Sequence, residues 1–160
     1  MTIKVGDRLP EATFGVMTKD GPAKKTTQEV FGGKKMALFA VPGAFTPTCS
    51  AKHVPGFKAN AGALKGKGID QIACVSVNDV FVMNAWGKDQ SVGDDVLMLA
   101  DGSGDFARAI GLTMDARGFG MGERSQRYSM IVEDGVVKAL NVEAPGEFKV
   151  SSAEHMLGQL

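Results

Sequence analysis

The sequence lacks an excess of charge of either sign. Its 18 basic and 18 acidic side chains cancel, and basic residues form no run longer than the pairs Lys24–Lys25 and Lys34–Lys35. Proteins that bind nucleic acid usually carry clustered positive charge on one face. We therefore expect no nucleic-acid partner.

Long apolar stretches are also missing. No segment approaches the roughly 18 consecutive apolar residues of a membrane-spanning helix. The first residues, Met-Thr-Ile-Lys-Val-Gly-Asp, have none of the apolar core that a signal peptide needs. We expect a cytoplasmic protein with no membrane association.

Cysteine and histidine are scarce, with two of each in 160 residues. A structural zinc site of the usual ligand spacing cannot be drawn from them, and we expect no metal and no cofactor. Thiols stay reduced in the cytoplasm, so we expect no structural disulfide between Cys49 and Cys74. Each cysteine is therefore judged alone.

The overall composition is that of a soluble globular protein, with 44% hydrophobic and 22% charged residues. A chain of 160 residues is long enough for one well-buried core and too short for two ordinary domains. No repeat, heptad array or low-complexity linker interrupts it. We predict a single domain over residues 1–160.

Apolar runs bounded by glycine and polar residues predict β-strands. They are residues 36–41, 72–77, 96–100, 130–132 and 136–142. The first three are almost continuously apolar, as in strands covered on both faces, and helical patterns such as 80–86 lie between them. This alternation predicts an α/β fold with a parallel portion of sheet.

Two features near the C-terminus complete the predicted architecture. Asp134-Gly135 between the last two apolar runs is a strong hairpin signal, so the sheet is predicted to be mixed. Ser151 or Ser152 can cap a terminal helix whose apolar residues include Met156 and Leu157. The prediction is a mixed central sheet flanked by helices.

The chemically informative segment follows the first buried strand. Thr46 is a good helix N-cap and Pro47 suits the first helical position, which puts Cys49 in the first turn. A helix N-terminus favours an anion and therefore a thiolate over a thiol. Helical spacing places Thr46 and His53 on the same face as the sulfur. Pro55 predicts a kink one to two turns beyond Cys49.

The spacing Pro42-x-x-x-Thr46-x-x-Cys49 resembles the active-site motif of peroxiredoxins. The longer string Val-Pro-Gly-Ala-Phe-Thr-Pro-Thr-Cys-Ser at 41–50 is similar to the atypical subgroup called type II or type 5. Further stretches resemble that subgroup in collinear order over nearly the whole chain. They are residues 75–79, 81–86, 127–130 and 137–143.

The resemblance implies a thioredoxin-like fold and a thiol peroxidase that reduces hydrogen peroxide and alkyl hydroperoxides in antioxidant defence. Cys49 would be the nucleophile and would become a sulfenic acid. Thr46 would hydrogen-bond the peroxide, Arg127 would stabilise the thiolate and the departing oxygen, and Pro42 would shield the pocket from water. Relatives also imply a homodimer.

One departure from the subgroup concerns the second thiol. Many members carry a resolving cysteine just before the last helix, where this chain reads Val150-Ser151-Ser152. Cys74 lies within an apolar strand, where a thiol is usually inert. A one-cysteine mechanism is therefore predicted, with an external reductant: glutathione followed by glutaredoxin, or thioredoxin.

Other interpretations remain open from the residues themselves. Arg127 could be solvated or paired with Glu123, in which case Arg124 is the next candidate. His53 and Trp86 could simply be packed. Thr-Pro-Thr-Cys also has the frame of a Cys-x-x-Cys motif, so a thioredoxin- or glutaredoxin-like thiol–disulfide oxidoreductase is the alternative enzyme, and a non-enzymatic interaction module is the third hypothesis.

Overall fold

The structure, a computed structural model, describes residues 2–160. Within that range nine strands form two sheets: β1 (Thr13–Thr18), β2 (Gly21–Thr26), β3 (Lys35–Ala40), β4 (Gln71–Ser76), β5 (Leu97–Ala100), β6 (Thr113–Asp115), β7 (Glu123–Ser125), β8 (Tyr128–Glu133) and β9 (Val136–Val142). Seven of them form the main sheet in the order β2-β1-β5-β4-β3-β8-β9, and β6 pairs with β7 separately.

Short helices connect and flank the strands. They are α1 (Thr27–Phe31), α2 (Val54–Ala59), α3 (Ala61–Gly66), α4 (Val80–Asp89), α5 (Asp105–Ile110) and α6 (Ala153–Leu157). A π-helical turn, Cys49–His53, directly precedes α2, and a 3₁₀ turn covers Arg117–Phe119. No helix among residues 2–160 is long and apolar enough to cross a membrane.

The centre of the main sheet follows the sequence prediction. β3, β4 and β5 are parallel neighbours, and all five predicted strands are present with small shifts at their ends. β8 runs antiparallel to β3, and β8 and β9 form the predicted hairpin. Its turn residues Asp134 and Gly135 have φ values of 47° and 80°, which suits an Asp-Gly turn of the kind that joins twisted strands.

Apolar side chains fill both faces of this sheet. On one face, the ring of Phe14 packs against the rings of Phe31 and Phe106. The other face carries Cys49 and is packed by α2, α3, α4 and α6. There the rings of Phe39 and Phe57 stack with centroids 4.2 Å apart, and burial of each large side chain contributes about 1.5–3 kcal/mol.

The predicted C-terminal helix is present as α6. Ser152 caps it, since its hydroxyl accepts a hydrogen bond from the His155 N–H at 3.1 Å. Met156 is fully buried on the sheet face that carries Cys49. Ser151, the other cap candidate, is buried and has different partners, described below.

Candidate active site

Cys49 lies where the chain leaves β3 and begins a helix, as the sequence predicts. Helical conformation starts at Pro47, and the Ser50 N–H donates to the Thr46 carbonyl at 3.0 Å. Thr46 is therefore the last residue before the helix and Cys49 lies in its first turn. Phe45, just before, has φ 64°, an uncommon conformation for a bulky residue and one that is often found at functional sites.

The helix that carries Cys49 is irregular from its start. Residues Cys49–His53 form a π-helical turn in which the Val54 N–H donates to the Cys49 carbonyl, five residues back. Pro55 has no N–H to continue an ordinary α-helical ladder, which gives a local reason for the wider turn. The helix irregularity that Pro55 predicts therefore includes a π turn, which begins at Cys49 itself.

The Cys49 sulfur is fully buried and has two polar neighbours. The Thr46 hydroxyl lies 2.8 Å from Sγ and the Arg127 Nη2 lies 3.0 Å from it. The same hydroxyl is 2.7 Å from the Gly43 carbonyl. Since one O–H cannot donate twice, a Cys49 thiol would donate to Thr46 while Thr46 donates to Gly43, and a thiolate would accept from Thr46.

Arg127 also contacts His53, which fixes the protonation of the imidazole. Its Nη1 lies 2.8 Å from His53 Nδ1, and a guanidinium can only donate, so Nδ1 accepts. His53 Nε2 therefore carries the hydrogen and donates to the Ser151 carbonyl at 2.9 Å. Burial, together with the nearby charge of Arg127, lowers the pKa of His53 to about 3, so the ring is neutral at physiological pH.

The neutral state of His53 predicts a loss of stability in mild acid. The unfolded chain binds a proton below pH 6.5 and the folded chain does not until about pH 3, so stability falls as pH falls between these values. We expect the free energy of unfolding to drop by about 2 kcal/mol from pH 6.5 to about 5. Denaturant titrations at both pH values measure it.

The control for this pH dependence is the His53→Gln variant, in which the side chain at position 53 does not titrate while the rest of the protein is unchanged. Its free energy of unfolding should change much less over the same interval. Carboxyl groups with lowered pKa, such as Glu143, act in the same direction but only below their ordinary pKa of 4.5. An equal drop in both proteins would contradict the neutral assignment of His53.

The other arginine near the site has different partners. Arg124 donates to the backbone carbonyls of Met121 and Val77. Glu123 pairs with Arg108 at 2.8 Å instead of with Arg127. Among the described residues, Arg127 is the arginine that reaches the Cys49 sulfur.

Pro42 and Arg127 both line a cavity of about 670 Å³. Thr48 and the segment 143–147 also line this cavity. Phe119, whose side chain is 84% exposed, stands at the cavity as well. Of the residues that contact the Cys49 sulfur, Arg127 therefore also lines a cavity large enough for a small molecule.

The second cysteine is in a different environment. Cys74 is fully buried within β4 and is not bonded to Cys49. Burial, with a smaller contribution from Cys49, raises the pKa of the Cys74 thiol well above its ordinary value. A thiol of this kind is a poor nucleophile because the thiolate is the reactive form.

Trp86, whose role the sequence left open, and Ser151 and Glu143, for which it predicted no role in the site, are connected to the surroundings of Cys49. The Trp86 indole N–H donates to the Ser50 hydroxyl at 3.0 Å, which ties α4 to the residue after Cys49. The Ser151 carbonyl accepts a hydrogen bond from His53, and the Glu143 carboxylate in turn accepts hydrogen bonds from Ser151. Glu143 belongs to a stretch that resembles the peroxiredoxin subgroup, and this was the one sequence signal that could have identified it.

Similarity to known proteins agrees with this geometry. The sequence model of the Redoxin family matches residues 4–157. Peroxiredoxin-2E, chloroplastic, of Arabidopsis thaliana is 53% identical, and the match covers 99% of this chain and 70% of the relative. The chain belongs to the peroxiredoxins of the Redoxin family. Its peroxiredoxin relatives include the hybrid peroxiredoxin hyPrx5 of Haemophilus influenzae, 42% identical over 100% of this chain and 67% of that protein.

A solved peroxiredoxin structure has the same fold. Reduced Prx3 from Vibrio vulnificus in complex with H₂O₂ is 55% identical and superimposes with a TM-score of 0.95, covering 99% of each chain. The predicted thioredoxin-like fold and the type II or type 5 resemblance are confirmed. The protein is a thiol-dependent peroxidase.

Proposed function

We propose that Cys49 is the nucleophile of this peroxidase. Its thiolate attacks one peroxide oxygen, so that an S–O bond forms as the O–O bond breaks. Cys49 is oxidised to a sulfenic acid, and the departing hydroxide or alkoxide takes up a proton to give water or an alcohol. The observation that carries the proposal is the position of Sγ, within 3.0 Å of both Arg127 Nη2 and the Thr46 hydroxyl.

The neighbouring residues have distinct proposed roles. The Thr46 hydroxyl orients the peroxide in line with the sulfur. Arg127 stabilises the thiolate and the negative charge that develops on the departing oxygen. Pro42, which lines the cavity, shields the pocket from water. Hydrogen peroxide and small alkyl hydroperoxides are the proposed substrates, and antioxidant defence with cell redox homeostasis is the proposed role.

An external thiol is proposed to complete the cycle. It attacks the Cys49 sulfenic acid, releases water and forms a mixed disulfide, which a second thiol reduces. Cys74 is a poor candidate because it is buried with a raised pKa, and residues 150–152 contain no cysteine. Glutathione followed by glutaredoxin is the proposed reductant, and thioredoxin is the alternative.

A single titration tests the nucleophile. Stoichiometric hydrogen peroxide added to the reduced protein at neutral pH should place one oxygen on the peptide that contains Cys49, and none on the peptide with Cys74. Trp86 fluorescence should change in step, because its indole is bonded to the residue next to Cys49. Mass spectrometry follows the first signal. An unmodified Cys49 after peroxide consumption would refute the proposal.

The assembly and setting are also proposals. We infer that residues 1–160 act as one domain, supported by the seven-stranded sheet that spans most of the chain. A homodimer is supported by the exposed apolar rings of Phe45, Phe81 and Phe119, which a second copy would cover. A monomeric mass in sedimentation experiments would exclude it. Two unpaired thiols favour a cytoplasmic setting.

A further inference from the structure

Glu143 is a buried acid that takes no part in the reaction steps above. It directly follows β9, its side chain is 6% exposed, and its backbone N–H donates to the Arg127 carbonyl at 3.0 Å. Burial of the carboxyl raises its pKa, but hydrogen bonds from Lys149, Ser151 and Val150 outweigh this and the net pKa is lowered. The carboxylate is therefore charged at neutral pH.

One oxygen of this carboxylate organises the C-terminal segment. Oε2 accepts hydrogen bonds from the backbone N–H groups of Lys149, Val150 and Ser151, each at 2.8 Å. It also accepts from the Ser151 hydroxyl at 2.7 Å. Successive backbone N–H groups directed at one oxygen form an anion-binding concavity. Ser151 is thus held at both its N–H and its side chain.

The remaining polar group of Ser151 is its carbonyl, which contacts the active site. It accepts from His53 Nε2, and this places the imidazole hydrogen on Nε2 and leaves Nδ1 as an acceptor. Nδ1 then accepts from Arg127 Nη1, while Nη2 of the same guanidinium donates to Cys49 Sγ. With the hydrogen on Nδ1 instead, two donors would face each other and Arg127 would lose this partner.

We propose that Glu143 is a positioning residue for the peroxidase reaction: by clamping residues 149–151 it fixes the tautomer of His53, and through it the guanidinium of Arg127 at the sulfur. This inference rests on the proposed roles of Cys49 and Arg127. Glu143 does not contact Sγ and is not itself catalytic. The last residues before α6, where many relatives have a thiol, would here support the active site by backbone contacts.

The test uses Glu143→Gln, which keeps the size of the side chain and removes its charge. We expect the rate constant for oxidation by hydrogen peroxide, from stopped-flow Trp86 fluorescence, to fall about five- to tenfold. The ¹⁵N shifts of His53 should change from a single Nε2–H tautomer to a mixture. Ser151→Ala removes one of the four donors and should give a smaller effect of the same kind.

Ser152→Ala is the matched control for loss of structure. It removes the cap of α6, next to the residues that Glu143 binds, but none of the hydrogen bonds that connect Glu143 through Ser151, His53 and Arg127 to Cys49. It should lower the melting temperature while leaving the rate constant and the His53 tautomer unchanged. A merely structural Glu143 predicts the same pattern for Glu143→Gln, and that result would overturn the inference.

A double-mutant cycle gives a second measurement of the same connection. In His53→Asn the amide oxygen can accept a hydrogen bond from Arg127 without help from Ser151. Adding Glu143→Gln to this variant should therefore lower the rate constant for oxidation much less than it does in the wild type. An equal fold decrease in the rate constant in the wild type and in His53→Asn would also overturn the inference. If Glu143→Gln does not fold, the Ser151→Ala and Ser152→Ala pair decides. A wild-type Cys49 that does not react with peroxide would instead refute the proposed function.

Discussion

Cys49→Ser is expected to abolish peroxide turnover, whereas Cys74→Ser is expected to keep it within about twofold of the wild type. A serine hydroxyl at position 49 is not ionised at neutral pH and cannot form a sulfenic acid, so both the attack and the thiol-dependent reduction are lost. Peroxide consumption in the presence of glutathione and glutaredoxin, or of thioredoxin, measures the effect.

The two substitutions control for each other. Both replace a fully buried cysteine of the same core cluster by serine, so the two variants carry the same chemical change and differ in which sulfur is lost. Circular dichroism and melting curves establish that both variants fold. A folded Cys74→Ser protein without turnover would show that Cys74 resolves the sulfenic acid, and a Cys49→Ser protein with turnover would place the nucleophile elsewhere.

The central part of the fold could be predicted because its signals are local. β3 and β4 are continuous apolar runs, and the turn at Asp134-Gly135 needs the positive φ that this dipeptide tolerates. β1, β2, β6 and β7 were not predicted. β2 reads Gly-Pro-Ala-Lys-Lys-Thr, and β6 and β7 have three residues each, so these three lack the apolar alternation that marks a strand. In the structure β1 pairs with β2, and β6 pairs with β7.

The site likewise combines residues that are close to Cys49 in the sequence with residues that are distant from it. Thr46 and Cys49 are three residues apart, so helix geometry alone predicts their contact. Arg127 is 78 residues from Cys49, and its position depends on the pairing of β8 with β3, in which Ala40 faces Tyr128. The sequence indicated it only through resemblance to a family.

The buried chain of hydrogen bonds from Glu143 through His53 to Arg127 could not be predicted from the sequence. A carboxylate such as Glu143 is usually exposed, and its burial depends on three backbone N–H groups whose direction only the folded loop sets. The neutral state of His53 likewise follows from burial and from Arg127, which no local pattern reveals. Backbone donors carry no side-chain signature.

Arg127→Lys is expected to reduce the rate constant for peroxide reduction by about 10²- to 10³-fold, although the charge is kept. The guanidinium uses two nitrogens for two partners, Cys49 Sγ at 3.0 Å and His53 Nδ1 at 2.8 Å. A lysine has one ammonium on a flexible stem and cannot reproduce this fork. Stopped-flow fluorescence of Trp86 measures the oxidation step directly.

Arg124→Lys is the matched control, because Arg124 lies near Gly43 in the loop before Cys49 but donates to the backbone carbonyls of Met121 and Val77. Its rate constant should stay within about twofold of the wild type. The thiolate absorbance of Cys49 then separates two contributions of Arg127. If Arg127→Lys keeps the thiolate fraction at neutral pH but reacts more slowly, the guanidinium of Arg127 acts on the departing oxygen. If the thiolate fraction and the rate constant fall together, it acts first on the sulfur. Equal rates for the two lysine variants would show that positive charge near the pocket suffices, and that the directed pair of hydrogen bonds from Arg127 is not required.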